Sequence, residues 1–487
     1  MAKLAKFVKQ YWFILSLILL GGFLRLYRLE ESLMFLGDQG RDAVAMKRML
    51  IDHNLPFIGP ITSVGGFYLG PLYFYLMAPF LWLARYNPVG PAMATALLGI
   101  ITIPVLYLIA EKMFSKQTAG FAALLYTLAV IPISETRSAW NPNPMPLAAL
   151  GIIYGLYQAI YKKKPNWLLL SAFSLAVALQ LHYMIVFLGP FLLWQIILSW
   201  RQPKLRMKLL QGLAIFLLVM SPLILFEIKN NFLNFKGLIE FLTKNEYSQL
   251  DWFQVFKNLR GRSEQAIGMI LGFGRYTNFI RTWITRGVLI ASAVFLIKKP
   301  KPGLLMVIIW LLSTIAVLAV YHSNVYPHYL GFLFPAVFIL TGEILSRFKG
   351  KLIVFTLAFL SLFIFRNYPQ IAKILTYQGN LNSVKQTSQF IQKDIEANQH
   401  QQVNLALLDD TRDYRAMNYR YFLELTEVDL LDIDDYPQAN TLYVISPYQQ
   451  TEILENPTWE VQSLKPSQLT QSWQLEGLAN IYKIERL

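Results

Sequence analysis

The sequence predicts a mostly α-helical protein that crosses a membrane many times and ends in a small α/β domain. Of its 487 residues 55% are hydrophobic, and the mean hydropathy of +0.40 is higher than soluble domains show. Apolar runs of about 20 residues, long enough to cross a bilayer as a helix, recur along the first part of the chain. From residue 380 the sequence turns polar and acidic, with 8 Lys+Arg against 16 Asp+Glu.

The apolar runs predict eleven membrane spans. Their approximate limits are 11–27, 91–110, 118–134, 145–161, 167–182, 184–200, 209–226, 283–297, 303–320, 329–346 and 352–366. Lys and Arg cluster at the N-terminus and then in every second short loop. Because basic loops are retained in the cytoplasm, this alternation predicts a multipass protein of the plasma membrane with a cytoplasmic N-terminus. After an odd number of spans, the C-terminal domain lies outside the cytoplasm.

This topology divides the chain into a transmembrane domain, residues 1–379, and an extracytoplasmic α/β domain, residues 380–487. The first has two long external loops, about 28–90 and 227–282. Within the earlier loop, residues 71–84 are apolar but number only about 14, short of the ~20 that a span needs. We therefore predict a helix at the membrane surface there, because a span would also move every later basic loop outside.

The C-terminal domain has its own pattern of elements. Short buried strands are predicted at Val403–Leu408 and Thr441–Ser446, and an amphipathic helix at Ser383–Glu396. The chain contains no cysteine, which excludes disulfides and Cys-ligated metal sites. The net charge of +15 comes from the basic membrane loops, which indicates contact with anionic lipid rather than nucleic acid.

The polar residues at the outer membrane surface are the candidates for chemistry. Asp38, Arg41 and Asp42 follow the first span, and their spacing puts them on one helix face. Ionisable groups at a membrane rim are costly unless they are used, so we predict a functional site there. The topology places further substrate-binding candidates at the same level: Tyr68, Arg137, Trp140, Asn141, Asn143, His182, Tyr183, His328 and Tyr329.

These residues also have structural interpretations. Asp38 follows a glycine and suits the N-cap of a helix. Asp42 can simply pair with Arg41, and Arg137 can bond to a helix end. Asp38, Asp42 and His182 offer ligands for a divalent ion. No His-x-x-x-His motif or carboxylate cluster at ligand spacing is present, so a metal is not favoured and no cofactor is predicted.

Four segments together carry a resemblance to a known family. The first, Asp38-Gln39-x-Arg41, is similar to a helix start of Asp-Glu-x-Arg, with Gln39 in place of Glu, and the second, Gly70-Pro71-Leu72-Tyr73, is similar to Pro-Pro-Leu-Tyr. The third, Phe114–Leu125, leads into span three. The fourth, Ser134–Asn143, is a turn that keeps Arg137 and has Asn141 or Asn143 in place of the usual Asp. In this order they resemble the GT-C membrane glycosyltransferases, and more narrowly the bacterial relatives of protein O-mannosyltransferase and lipid A aminoarabinose transferase.

The resemblance implies an inverting glycosyltransferase that moves a monosaccharide from a polyprenyl-phosphate donor to a hydroxyl acceptor at the outer face of the membrane. Asp38 stands where the family has its base. The leaving lipid phosphate needs a cation, for which Arg137 is the first candidate, followed by Arg260, Arg262, Arg275 and His328. The resemblance leaves a protein, lipid A or another glycan open as the acceptor.

Three other functions stay open at this point. A flippase or transporter of lipid-linked sugars predicts charged residues near the middle of the membrane. Here the charged residues gather at the outer rim, and only Glu343 lies within the inner part of a later span. A glycan ligase that uses a polyprenyl diphosphate carrier is a related enzymatic alternative. A scaffold whose external tail binds a partner would need no catalytic residue at all.

Overall fold

The computed structural model describes residues 2–62, 66–244, 252–274, 278–321, 323–475 and 479–487. Its contacts divide the chain into two compact units. The membrane unit contains residues 1–29, 55–77 and 91–376, and the tail unit contains residues 30–54, 78–90 and 377–487. The predicted domain boundary after residue 379 stays a prediction. The contact division lies near it but adds two segments of the first external loop to the tail.

Helices dominate the described chain. In chain order they are α1 (Ala2–Leu26), α2 (Gly37–Ile51), α3 (Leu72–Leu83), α4 (Val89–Met113), α5 (Lys116–Leu128), α6 (Val130–Thr136), α7 (Met145–Ile160), α8 (Trp167–Leu181), α9 (Gly189–Trp200), α10 (Pro203–Val219), α11 (Ser221–Lys229), α12 (Leu233–Lys244), α13 (Trp252–Ser263), α14 (Phe279–Lys298), α15 (Pro302–Val320), α16 (Phe334–Arg347), α17 (Ile353–Thr376), α18 (Leu381–Asn398), α19 (Met417–Leu425), α20 (Gln450–Leu454) and α21 (Trp459–Gln462). Short 3-10 helices precede α9, α16 and α17, and a π-helix, Glu264–Met269, follows α13.

All eleven predicted spans fall on helices, and the protein is a multipass membrane protein. Within the described residues, six helical segments are long and apolar enough to cross a membrane, and two bent helix pairs bring the number to eight. The other three predicted spans coincide with shorter apolar helices, Tyr11–Leu26, Met145–Ile160 and Trp167–Leu181. The eleven apolar runs were therefore located correctly, although several form helices that are short or bent.

Proline explains where the two bent pairs break. The α5–α6 pair bends by 59° and the α10–α11 pair by 63°. Pro132 lies four residues after Leu128, the last residue of α5, and Pro222 lies four residues after Leu218 near the end of α10. A proline ring clashes with the carbonyl four residues before it and donates no hydrogen bond, so neither helix can continue straight through it.

The helix predicted at residues 71–84 forms as α3, over Leu72–Leu83. One side of it is buried, with Tyr73, Met77 and Leu81 all inaccessible to solvent. Its exposed side is also apolar and includes Trp82 at 59% exposure and Leu83 at 67%. An exposed apolar face with tryptophan suits contact with lipid near the headgroups. The location of α3 at the membrane surface stays a prediction.

A buried carboxylate in the membrane unit is paired with basic residues. Glu343 of α16 is 1% exposed and accepts hydrogen bonds from Arg347 at 2.7 Å, Thr118 at 2.7 Å and Lys301 at 3.2 Å. Arg347 is on α16 itself, Thr118 is on α5 and Lys301 is the N-cap of α15, so the carboxylate joins α16 to two other helices. Removing one partner of a buried charge leaves the other uncompensated, so such pairs tie their helices together in a fixed arrangement.

The tail unit contains a four-stranded sheet with the strand order β1-β2-β4-β3. Its strands are β1 (Val403–Leu407), β2 (Thr441–Ser446), β3 (Ser467–Trp473) and β4 (Asn480–Arg486). The first two pair in parallel, with Leu405 opposite Tyr443, and the other pairings are antiparallel. Both predicted strands are confirmed and fully buried, and the predicted amphipathic helix is α18. The predicted small α/β domain is therefore correct.

Candidate active site

The helix α2 presents the first group of candidate residues. Its N-cap is Leu36, whose backbone N–H donates to the side-chain oxygen of Gln39 at 3.0 Å. Asp38 is therefore not the N-cap, as one interpretation of the sequence had it, but lies in the first helical turn. A carboxylate in the first turn is stabilised by the helix dipole, and the Asp38 carboxylate is not occupied by a capping hydrogen bond. Gln39, which stands where the family motif has Glu, closes the turn instead.

Arg41 joins the two carboxylates of the motif. Its Nη1 donates to Asp38 at 2.8 Å, and its Nη2 donates to Asp42 at 2.9 Å. The side chain of Asp38 is 52% exposed and that of Asp42 is 2% exposed. Burial of the guanidinium opposes its charge, but Asp42 and Asp38 outweigh that effect and raise the pKa of Arg41. Arg41 thus stays cationic. It is anchored by the buried carboxylate of Asp42 and orients the accessible carboxylate of Asp38.

Two carboxyl groups near Asp38, those of the buried Asp42 and the half-buried Asp413, have raised pKa values. Burial raises the pKa of Asp42 to about 6, against the attraction of Arg41. Its Oδ2 atom is buried and has no hydrogen-bond partner within the described part of the chain. Burial also raises the pKa of Asp413 to about 6, and the neighbouring Asp38 adds to that rise. Asp413 belongs to the tail unit, as α2 does, and the charge of Arg41 acts on it as well as on Asp38 and Asp42.

The membrane unit brings four other candidates together as a row of rings. The centroid of the His328 ring lies 4.5 Å from that of Trp140 and 4.6 Å from that of Tyr329, which is 4.8 Å from that of His182. The indole Nε1 of Trp140 is buried without an acceptor in the described residues. Glu135 lies 4.0 Å from His328 Nδ1. A buried donor among flat rings is suited to a polar ligand with an apolar face.

The remaining candidates of the membrane unit make hydrogen bonds with its backbone. The Tyr183 hydroxyl donates to the carbonyl of Tyr68 at 2.5 Å, and the Tyr183 ring packs against Phe67. Asn141 donates to the carbonyl of Leu181 at 2.6 Å. Asn143 is 5% exposed and donates to the carbonyls of Glu135 and Ser138. The asparagines thus fix the shape of the turn before α7.

Arg137 is 6% exposed and holds the end of α1. Its guanidinium donates to the carbonyl oxygens of Leu24 at 3.0 Å, Tyr27 at 2.9 Å and Arg28 at 3.4 Å. The last carbonyls of a helix have no partner inside the helix, and a cation at that end is favourable. These contacts give Arg137 a structural role, and its role in binding a substrate stays a prediction.

Comparison with known proteins supports the resemblance. A family model described as dolichyl-phosphate-mannose-protein mannosyltransferase matches residues 69–226. The solved structure of ArnT from Cupriavidus metallidurans bound to undecaprenyl phosphate aligns over 98% of this chain and 98% of its own, at 13% identity and a TM-score of 0.62. This chain has the GT-C fold. The predicted resemblance to GT-C glycosyltransferases is therefore confirmed.

A second GT-C enzyme gives the same result. The oligosaccharyltransferase AglB from Archaeoglobus fulgidus, in complex with an inhibitory peptide and a dolichol-phosphate, aligns over 97% of this chain and 74% of its own, at 9% identity and a TM-score of 0.53. No curated protein sequence matches the chain. The family model covers three of the four motif segments but begins after Asp38, so the role of Asp38 in this GT-C chain stays a prediction.

The basic residues of the second external loop are candidates for contact with phosphate in a GT-C protein. The side chain of Arg260 is 63% exposed and pairs with Glu264 at 3.1 Å. Arg262 is more enclosed and donates to the carbonyls of Tyr321 and Ser323. Arg275 lies outside the described residues. Among the residues that the structure describes, no cluster of three or more His, Asp or Glu has the arrangement of a metal site.

Removing the Arg137 side chain tests its role in this GT-C protein. We expect Arg137→Ala to lower the thermal unfolding midpoint in detergent, because buried carbonyls lose their donor at a cost of about 1–3 kcal/mol each. Transfer activity per folded molecule should fall much less than the yield of folded protein. An unchanged midpoint together with weaker donor binding would show instead that Arg137 contacts the substrate.

Proposed function

We propose that this protein is an inverting glycosyltransferase that moves a monosaccharide from a polyprenyl-phosphate donor to a hydroxyl acceptor at the outer face of the membrane. The observation that carries the proposal is the pairing of Asp38 and Arg41 at the start of α2 in a GT-C fold. A solved protein of this fold has undecaprenyl phosphate bound, and another has a dolichol-phosphate bound. These lipids are what remains of such a donor after transfer.

Asp38 is the proposed catalytic base. An acceptor hydroxyl must lose its proton as it attacks the anomeric carbon, and a carboxylate that remains accessible can take that proton. Asp38 is half exposed, and Arg41 fixes one of its two oxygens at 2.8 Å, which leaves the other for the acceptor. Because the base and the leaving group lie on opposite sides of the sugar, a single displacement inverts the anomeric configuration.

The leaving polyprenyl phosphate needs cationic partners at the level of the lipid headgroups. Arg260 is the proposed partner in the second external loop, because its guanidinium is the most exposed of the described arginines there. Trp140, His328 and Tyr329 are proposed to bind the sugar, whose apolar face suits aromatic rings. The proposed orientation has the N-terminus in the cytoplasm and the C-terminal domain outside, because all tight basic loops then lie inside.

A reconstituted transfer assay tests this function. The purified protein in lipid nanodiscs is given synthetic polyprenyl-phosphate monosaccharides together with candidate hydroxyl acceptors, and mass spectrometry follows both products. We expect free polyprenyl phosphate to appear in equal amount with glycosylated acceptor, and the new bond to have the opposite anomeric configuration. Transport of the intact donor across sealed vesicles without acceptor would overturn the proposal in favour of a flippase.

The pKa of Asp42 predicts how transfer depends on pH. Because burial raises that pKa to about 6, Asp42 gains a proton as the pH falls through 6 rather than through its ordinary value near 4. The neutral acid holds Arg41 less tightly, so we expect kcat/KM to decrease below about pH 6. Asp42→Asn should lower activity at pH 7 and weaken this dependence. A wild-type rate that stays constant down to pH 5 would contradict the prediction.

A further inference from the structure

The first turn of α2 is held by the C-terminal tail. Gly40 lies so close to α19 that a Cβ atom there would be 2.3 Å from the backbone nitrogen of Asn418 and 2.5 Å from the carbonyl carbon of Met417. A Cβ on Gly37 would be 2.8 Å from the Cβ of Asp413 and closer still to its carboxyl group. Glycine weakens a helix, so two glycines three residues apart are explained by this close packing.

Phe35, which leads into α2, is held by hydrogen bonds with two side chains of the C-terminal tail. The backbone N–H of Phe35 donates to the side-chain oxygen of Asn380 at 2.6 Å, and the Asn418 side chain donates to the Phe35 carbonyl at 3.1 Å. At the other end of the helix, Arg48 pairs with Glu424 of α19 at 3.0 Å. The position of α2, and so of Asp38 and Arg41, is therefore set by contacts with the C-terminal tail.

Asp413 completes this arrangement. It lies in the loop between β1 and α19, and its Oδ2 accepts a hydrogen bond from the backbone N–H of Met417 at 3.3 Å. Its side chain lies against Gly37, at the beginning of α2. The charged groups that act on it are Asp38 and Arg41 from α2 and Asp409 from its own loop. It thus contacts the starts of both helices and lies within electrostatic reach of the proposed base.

We propose that Asp413 is a positioning residue for the transfer reaction, because its carboxylate holds the first turn of α2 against α19 and thereby fixes Asp38 and Arg41. This inference rests on the proposed function. It gives the C-terminal tail a part in the reaction centre, in addition to any part in binding the acceptor. Asp413 acts through Asp38 and Arg41, and no contact with substrate is assigned to it.

Three variants of the full-length protein test this proposal. Asp413→Asn keeps the shape of the side chain and removes its charge, Asp413→Ala removes both, and Asp410→Asn makes the same charge change at an exposed position of the same loop. We expect Asp413→Ala to lower kcat by about 10- to 100-fold, because small displacements of reacting groups cost that much, and Asp413→Asn, which keeps an oxygen for the Met417 N–H, to lower it less. The donor KM should change less than about twofold, and Asp410→Asn should behave as wild type.

A second measurement separates positioning from general stability. Hydrogen–deuterium exchange on the same proteins reports the amides of α2, and we expect faster exchange of residues 38–41 in Asp413→Ala with unchanged exchange in the membrane unit. Wild-type kcat and wild-type exchange in both Asp413 variants would overturn the proposal, as would a loss of activity that only follows the loss of folded protein. If the wild-type protein transfers no sugar, the proposed function fails and exchange alone decides the role of Asp413.

Discussion

We expect replacement of Asp38 with Asn to remove most of the transfer activity and to leave the protein folded. The substitution keeps the size and a hydrogen-bonding oxygen for Arg41 but removes the capacity to accept a proton at neutral pH. General-base catalysis contributes about 10²–10⁴-fold to a rate, so we expect kcat to fall by that factor. Folding should persist because the Asp38 side chain is 52% exposed and its ion pair with Arg41 is duplicated by buried Asp42. The reconstituted transfer assay measures the loss.

A matched control makes this result specific. Asp52 caps the other end of α2, is 49% exposed and lies 3.9 Å from Lys47, so Asp52→Asn makes the same chemical change on the same helix. It should retain wild-type kcat. Binding of free polyprenyl phosphate should be equal in both variants, because the base acts on the acceptor. An Asp38→Asn protein with more than about half of the wild-type kcat would show that the base is another group.

The membrane helices were predictable because the bilayer requires them. An apolar run can satisfy its backbone in lipid only as a helix, so composition alone locates the spans. The breaks in α5–α6 and α10–α11 coincide with Pro132 and Pro222 in the sequence, but the angles of the bends depend on packing between distant helices. The strands β1 and β2 were predictable for a similar reason, because short β-branched and aliphatic runs bounded by polar residues suit a buried sheet.

The candidate site was predictable only in part. Asp38 and Arg41 could be found because ionisable groups at a membrane rim are costly unless they are used, and these two share a helix face. The predicted contact of Arg137 with phosphate rests on its charge and stays a prediction, and only the fold reveals that Arg137 also donates to carbonyl oxygens at the end of α1. Asp413 is one of several acids in a polar tail, and no local pattern separates it from Asp409 or Asp410. Its importance arises from a contact with α2, more than 370 residues earlier.

One signal of that contact was present in the sequence. The glycines at 37 and 40 are spaced so that they share one side of a helix, while Asp38 and Arg41 share another. Two glycines in the first turns of a short helix reduce its stability and indicate that something approaches closely on that side. The motif around Asp38 thus has a packing surface, formed by the two glycines, and a reactive surface, formed by Asp38 and Arg41. The reactive surface is easier to recognise from the sequence than the packing surface.

Gly40→Ala should therefore be among the most damaging small substitutions in the tail unit. Elsewhere in a helix, alanine in place of glycine stabilises by about 0.4–1 kcal/mol. At position 40 the added methyl group would lie within 2.5 Å of three backbone atoms of Met417 and Asn418, and backbone cannot rotate away as a side chain can. Overpacking of this kind costs about 1–3 kcal/mol, which exceeds the gain in helix propensity.

The control is Gly287→Ala in α14, where a new Cβ atom would meet nothing within 4 Å. We expect Gly287→Ala to keep wild-type activity and to match or raise the unfolding midpoint. Gly40→Ala should lower the midpoint and reduce kcat by about 10- to 100-fold, because relieving the collision moves α2 away from α19 and displaces Asp38. If the two variants are equally stable and active, α2 does not depend on its contact with α19, and the tail has no part in positioning the base.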